Sequence, residues 1–137
     1  MTTADDPIYL DHNATTPVLE EVVEEMMPYL RGDFGNPSSS HVYGRRARRA
    51  VDRARGRLAE LIGADPSEIV FTSGGTESNN LAVRGVAAAA DEQTQIVTSR
   101  IEHPAVDQPC RHLAEAGWKV NRVPVDADGR LELDSFD

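Results

Sequence analysis

Two glycines and a threonine stand where an apolar run gives way to polar residues, in the stretch IVFTSGGTESNN at residues 69–80. A helix that begins here presents unpaired backbone N–H groups and a partial positive charge, which suit an anion. Glycine lets a ligand approach the backbone closely, and Thr76 adds a hydroxyl group. The stretch has neither the P-loop ending nor the dinucleotide-binding glycine pattern. The residue types leave two interpretations open, a phosphate cradle at Gly75 and Thr76 or an ordinary capped turn.

A histidine follows the next predicted strand, in IVTSRIEHPAV at residues 96–106. Because the carboxyl ends of parallel strands meet at one edge of a sheet, we expect His103 to lie at the same edge as Thr76. A neutral imidazole beside a ligand can stack on it or exchange protons near pH 7. The structural alternative for His103 is a helix cap.

These positions depend on an alternation of apolar strands and helices. The apolar runs predict strands at residues 7–10, 67–73, 95–99 and 118–125. Apolar residues at helical spacing predict helices over 45–63, 76–90 and 105–117, with stops at Gly63 and Gly117. This order predicts an α/β fold with a parallel sheet covered on both faces by helices.

The first predicted helix is acidic and lies near the N-terminus. Thr16 is its expected N-cap, Pro17 its first helical residue, and Pro28 is expected to bend or end its last turn. Glu20, Glu21, Glu24 and Glu25 are expected to face water.

Composition excludes several classes of function. A net charge of −9 argues against general affinity for nucleic acid. The single cysteine, Cys110, excludes an internal disulfide framework and fits a reducing compartment. No N-terminal signal pattern is visible, and no apolar run reaches the roughly 20 residues that span a bilayer. We expect a cytoplasmic protein with no metal site and no membrane partner.

Four segments together are similar to the N-terminal portion of cysteine desulfurases, which are pyridoxal-phosphate enzymes of aminotransferase class V. The segments are YLDHNATTP, FGNPSSSHVYG, GADPSEIVFTSGGTESNNLAV and TSRIEHPAV, in that order. The resemblance implies a three-layer sandwich of fold-type I, with an arm and first helix at residues 1–30 and the start of the cofactor-binding domain at 31–137. It implies removal of sulfur from L-cysteine, giving alanine and an enzyme-bound persulfide for iron–sulfur cluster assembly or tRNA thiolation. A homodimer and a sulfur-acceptor or scaffold protein are the implied partners.

The resemblance also implies roles for individual residues. Gly75 and Thr76 would hold the phosphate of pyridoxal 5'-phosphate, and His103 would stack on the pyridine ring and assist proton transfer. Asn13 would belong to an arm on the substrate side, and His41 to an ordered loop beneath it. For Asn13 and His41 a purely structural role is the favoured alternative.

Two groups that the chemistry needs have no good candidate in this chain. The cofactor requires a lysine for its Schiff base, and desulfuration requires a cysteine thiolate. Lys119, the one lysine, is predicted at the sheet edge opposite Thr76 and His103, and Cys110 is predicted mid-helix as a buried thiol. The last residues, with Asp134 as a predicted helix N-cap, favour the opening third of a longer enzyme. The chain alone is therefore expected to be inactive.

Two further functions stay open. The first is a non-catalytic fragment or binding module whose helix at residues 41–63, with seven arginines, meets an acidic partner. A solvated face is the simpler interpretation of that helix. The second is another class V enzyme such as a selenocysteine lyase, because the sequence does not separate cysteine from selenocysteine as substrate.

Overall fold

The structure is a computed structural model that describes residues 7–90, 95–132 and 134. Contacts divide the chain into two compact units, one up to Ile69 and one from Val70. The predicted division after residue 30 concerns the complete fold and stays a prediction. The helix expected after Asp134 lies outside the described residues.

The first unit contains α1 (Glu20–Arg31) and α2 (Val42–Ile62), followed by a 3-10 turn at Pro66–Glu68. The prediction that Thr16 and Pro17 begin α1 is wrong, because its N-cap is Leu19. The preceding residues form another turn, in which the N–H groups of Ala14 and Thr15 donate to the Asp11 carbonyl. Helix α1 begins only at Glu20. The negative charges of Glu20 and Glu21 complement the partial positive charge at the N-terminus of the helix.

Pro28 lies within α1, which continues to Arg31, so the proline does not end the helix. Its carbonyl still accepts a hydrogen bond from the Gly32 N–H at 2.9 Å. The glutamates of α1 are exposed, as predicted.

Helix α2 begins three residues before its predicted start and ends at Gly63, as predicted. The early start follows from His41, whose side chain caps the helix by accepting a hydrogen bond from the Gly44 N–H at 3.3 Å. Gly63 adopts the left-handed conformation with φ 69°, which favours glycine and ends the helix.

The second unit contains α3 (Gly75–Ala89), β1 (Gln95–Ser99), α4 (Pro104–Glu115) and β2 (Lys119–Val123). The two strands are parallel, with Gln95 opposite Lys119 and Ser99 opposite Val123. Helix α4 connects them, and α3 packs against α4. The α/β class with a parallel sheet is therefore confirmed. Across both units, helices α2, α3 and α4 and both strands lie close to where the sequence predicts them.

The strands predicted at residues 7–10 and 67–73 do not form. A strand exists only where a neighbouring strand supplies ladder hydrogen bonds, and among the described residues only β1 and β2 pair as strands. Residues 69–72 therefore carry an apolar pattern but no regular secondary structure.

The core of the second unit is small. Its buried apolar residues include Ala87, Ala105, Pro109, Cys110, Leu113 and Val123. Large apolar side chains elsewhere in the unit stay exposed, including Val86 at 73% and Ile101 at 61%. Within the described part of the chain, no helix has the length and apolar character needed to cross a membrane.

Candidate functional site

The start of α3 offers hydrogen-bond donors that the helix itself does not use. The first main-chain bond of the helix joins the Ser78 N–H to the Gly74 carbonyl at 3.1 Å, so the N–H groups of Gly75, Thr76 and Glu77 precede the helical ladder. No side chain caps this end of α3. The Thr76 hydroxyl has no hydrogen-bond partner within the described ranges. These donors together suit an anionic oxygen-rich group.

The loop before α3 is fastened to the first turn of the helix. The Glu77 carboxylate accepts hydrogen bonds from the N–H and the hydroxyl of Ser73, both at 2.6 Å. The hydroxyls of Thr72 and Ser78 lie 2.7 Å apart. The hydroxyl and then the N–H of Ser73 lower the pKa of Glu77 below its ordinary value. Glu77 is therefore ionised at neutral pH and holds the loop closed.

Packing does not explain the two glycines of this loop. A Cβ atom added at Gly74 or Gly75 would meet nothing within 4 Å. Gly44 differs, since a Cβ atom there would lie 2.7 Å from the Asn36 carbonyl oxygen and would clash with it. The backbone of Gly74 has a positive φ of 159°, which favours glycine, whereas the bare backbone at Gly75 fits the close approach of a ligand.

His103 is the N-cap of α4, so the structural role weighed above is present. Its Nδ1 atom accepts a hydrogen bond from the Ala105 N–H at 3.0 Å, and its carbonyl accepts from the N–H of Val106 at 2.8 Å and of Asp107 at 3.1 Å. With Nδ1 as an acceptor, a neutral imidazole carries its proton on Nε2. The residue is exposed, so capping leaves the ring accessible to a ligand.

Thr76 and His103 lie at the same edge of the sheet. His103 follows the carboxyl end of β1 after a short loop. The C-terminal half of α3 lies at the opposite edge, since it lines a cleft with the starts of the two strands; the cleft residues are Ala82, Val83, Val86, Ala87, Ala90, Gln95, Ile96 and Trp118. Since α3 is about 22 Å long and its C-terminal half lies beside the starts of the strands, we infer that α3 begins at the carboxyl edge.

Lys119 lies at the other edge, as predicted. It is the first residue of β2 and stands opposite Gln95, the first residue of β1. The four steps of a five-residue strand cover roughly 13 Å, which exceeds the reach of a lysine side chain. Lys119 is thus separated from the donors of Thr76 and His103.

Cys110 is buried in α4, as predicted. Burial raises the pKa of its thiol above the ordinary value, and the charges of Asp107 and Glu102 add to that rise, while Arg122 opposes it. The thiol is therefore protonated at neutral pH, which makes it a poor nucleophile.

Asn13 and His41 belong to the first unit. Asn13 lies in the exposed turn that Asp11 organises, and the Tyr9 hydroxyl steadies this turn by donating to the Asp11 carbonyl at 2.8 Å. His41 caps α2, which is the structural role considered above. The substrate-side role of Asn13 stays a prediction.

Sequence reasoning missed two supporting residues of the site. Glu77 could have been found, because an acidic residue three positions after a helix N-cap is a known capping pattern. Asp107, which binds Arg122 of β2, could not, because its partner lies on another element and no local spacing marks the pair.

Parallel strands joined by a helix, with anion donors and an imidazole at their carboxyl edge, define an α/β domain of the kind that binds a phosphate-bearing ligand. The chain belongs to the aminotransferase class-V family, whose model matches residues 8–137. Members of this family use pyridoxal phosphate.

Curated relatives share about half of the residues. A cysteine desulfurase of Sinorhizobium fredii is 54% identical over 95% of this chain and 34% of its own length. The cysteine desulfurase IscS of Dictyoglomus turgidum is 49% identical over 94% of this chain and 33% of its own length. The chain therefore spans about a third of the length of these relatives.

Solved structures agree with this assignment. A NifS-like protein superposes with a TM-score of 0.81 at 41% identity, over 90% of this chain and 34% of that one. A structure described as SspA in complex with cysteine gives a TM-score of 0.77 at 42% identity, over 85% of this chain and 34% of that one. The fold is thus that of the NifS-like, fold-type I enzymes.

The residues at the carboxyl edge fit pyridoxal phosphate. Its phosphate needs several donors and a backbone without side chains nearby, which the start of α3 supplies through Gly75 and Thr76. Its ring needs a flat partner, which the exposed imidazole of His103 can be. A lysine for its covalent attachment is absent from this edge among the described residues.

Proposed function

We propose that this chain forms the phosphate-holding part of a cysteine desulfurase. The reaction removes sulfur from L-cysteine, leaves alanine and passes the sulfur on as an enzyme-bound persulfide. One observation carries the proposal: the uncapped start of α3, with its glycines and Thr76, lies at the same sheet edge as the accessible ring of His103. The relatives named cysteine desulfurases and the related SspA structure with cysteine support it.

The phosphate is held by the first turn of α3. The N–H groups of Gly75 and Thr76 and the Thr76 hydroxyl donate to phosphate oxygens, and the helix N-terminus favours the negative charge. Glu77 keeps this turn in shape by binding Ser73. Since these donors are already oriented, little order must be created when the phosphate binds.

The ring is placed by His103. The hydrogen bond to Nδ1 fixes the orientation of the imidazole, and it leaves the proton on Nε2. The imidazole can stack on the pyridine ring and donate a hydrogen bond from Nε2–H to a bound group. Pyridoxal phosphate, when bound, supplies an electron sink for the amino acid.

The remaining chemical groups come from outside this chain. Lys119 lies at the far edge of the sheet, and Cys110 is buried and protonated. The covalent anchor of the cofactor and the attacking thiolate therefore belong to the part of the relatives that this chain does not span. We also propose a homodimer, a sulfur-acceptor or scaffold protein as partner, and a cytoplasmic location.

The test is product analysis of the intact gene product with pyridoxal phosphate. With L-cysteine and a reductant, alanine and sulfide should form in equal amounts, whereas L-serine should give no alanine. L-Selenocysteine as a second substrate separates a desulfurase from a selenocysteine lyase. Cofactor binding without alanine formation from either substrate would contradict the proposal.

The alternative of an arginine-rich binding module has less support. Four of the seven arginines contact their own unit: Arg45 donates to the Ser40 carbonyl, Arg46 lies 4.0 Å from Asp33, Arg53 donates to the Tyr29 hydroxyl, and Arg55 donates to the Ile69 carbonyl. Much of the charge of α2 thus has partners within the unit, which favours a structural use of the arginines.

A further inference from the structure

One carboxylate joins α4 to the neighbouring strand. Oδ1 of Asp107 accepts hydrogen bonds from Nε of Arg122 at 3.2 Å and from its Nη2 at 3.1 Å, and Oδ2 accepts from Nε of Arg111 at 2.6 Å. The Asp107 side chain is 20% exposed and that of Arg122 is 30% exposed, whereas Arg111 is 62% exposed. The Arg122 contact is thus the better shielded of the two.

Asp107 also touches the candidate site through its backbone. Its N–H donates to the His103 carbonyl at 3.1 Å, one helical turn earlier. A continuous path of contacts therefore runs from the Arg122 guanidinium on β2, through the carboxylate and N–H of Asp107, to His103. Burial raises the pKa of Asp107, but the hydrogen bonds from Arg122 and Arg111 and the charges of both arginines lower it by more, so the net pKa is below the ordinary value. The carboxylate is therefore ionised at neutral pH.

Apart from the arginine contacts and a hydrogen bond between the side chains of Cys110 and Thr98, the contact between α4 and the strands offers little directional control. The residues of α4 that are buried are Ala105, Pro109, Cys110 and Leu113, which are apolar or nearly so. Apolar packing is non-directional, so it tolerates small rotations of the helix. The pair of Asp107 and Arg122 has a defined geometry, and Asp107 lies in the first turn of α4, close to His103.

We propose that Asp107 and Arg122 are positioning residues that fix the His103 ring at the ligand edge. The inference rests on the proposed role of His103 in holding the cofactor ring. A shift of about 1 Å in a positioned group can cost up to about 100-fold in rate. Loss of the pair should therefore lower turnover without removing any group that touches the substrate.

The experiment compares Asp107→Asn with a matched loss of an exposed charge pair, Arg130→Met, in the intact cofactor-loaded gene product. Arg130 lies 3.9 Å from Asp128, and both are largely exposed. We expect D107N to lower kcat about tenfold, to leave the KM for cysteine within about twofold, and to reduce the visible circular dichroism of the bound cofactor. R130M should change none of these. If D107N does not fold, Arg122→Lys replaces it and should show the same pattern with a smaller loss.

A double-mutant cycle with His103→Ala decides how the pair acts. If Asp107 acts through His103, adding D107N to the H103A variant should lower kcat little further. An equal fold loss in both backgrounds, or wild-type kcat and dichroism in D107N, would overturn the positioning role. A wild-type cofactor spectrum in H103A would instead contradict the proposed function itself, so the two failures are distinguishable.

Discussion

The Glu77 carboxylate accepts two hydrogen bonds from Ser73, one from the backbone N–H and one from the hydroxyl, both 2.6 Å long. The two residues flank Gly74, Gly75 and Thr76, so the pair closes the loop around the donors of the candidate phosphate site. Both partners of this contact belong to this chain. A group that tunes the shape of the site therefore need not touch the cofactor.

The first prediction concerns Glu77→Gln in the intact gene product. The amide loses the charge that strengthens both bonds from Ser73, and charge-assisted bonds are roughly twice as strong as neutral ones. The dissociation constant of pyridoxal phosphate should rise about three- to tenfold, with far-ultraviolet circular dichroism unchanged. Glu60→Gln on exposed α2 is the matched control, and equal effects in both variants would contradict the assignment.

The same contact predicts a dependence on pH. The pKa of Glu77 is lowered from 4.5 in the folded chain, so its stabilising contribution is complete above 4.5 and is lost as the pH falls through the lowered value. Cofactor affinity should weaken in that acidic range in the wild type. In E77Q this component of the pH dependence should be missing, as cofactor titrations at several pH values would show.

The second prediction separates the two roles of His103. Asparagine is a good N-cap and alanine a poor one, so His103→Asn keeps the cap while His103→Ala loses it. Both variants remove the ring and should disturb the cofactor spectrum alike. Only H103A should also lose about 1 kcal/mol of stability, measured by denaturant unfolding. A normal cofactor spectrum in H103N would show that capping is the whole function of this residue.

The third prediction is that the 137-residue chain alone neither attaches the cofactor at a defined residue nor releases sulfide from cysteine. Lys119 lies at the wrong edge and Cys110 is protonated. Borohydride reduction with pyridoxal phosphate, followed by peptide mapping, measures the attachment. Stoichiometric labelling of Lys119, with sulfide release that Cys110→Ser abolishes, would show that both residues are misassigned.

The fourth prediction is that this chain alone is at best partly folded. Its second unit leaves Val86 73% exposed and Ile101 61% exposed, and a two-stranded sheet is marginal in water. Exposed apolar surface of this kind favours association. Calorimetry and light scattering should show aggregation and no sharp transition. A cooperative transition of a soluble monomer would contradict this expectation.

The sequence predicts an element well when the residues and partners that form the element lie within this chain. Residues 95–99 form β1 with the predicted bounds, because the apolar run and its pairing with β2 lie within this chain. Residues 67–73 have the same apolar character but no pairing strand among the described residues, so the pattern alone did not suffice. The predicted start of α1 at Thr16 and Pro17 was wrong because the turn at Asp11 competes with capping by Thr16.

The candidate site shows the same division. The placement of Gly75 and Thr76 at the start of a helix and of His103 just before the next one was predictable from local sequence, while their roles in binding stay predictions. The contact of Arg122 with Asp107 was not, because it joins a strand to a helix that is distant in sequence. Supporting contacts of this kind become visible only when the elements are packed together.

The proposed function depends above all on the first turn of α3, which would hold the phosphate of pyridoxal phosphate. The most direct test is the affinity of the intact gene product for pyridoxal phosphate and for pyridoxal, which lacks the phosphate, in the wild type, Thr76→Val and Thr76→Ser. A hydrogen bond to a charged group contributes about 1.5–3 kcal/mol. T76V should therefore weaken the affinity for pyridoxal phosphate at least about tenfold and leave the affinity for pyridoxal unchanged. T76S should bind both ligands nearly as well as the wild type. Equal losses for both ligands, or no loss for either, would contradict the claim.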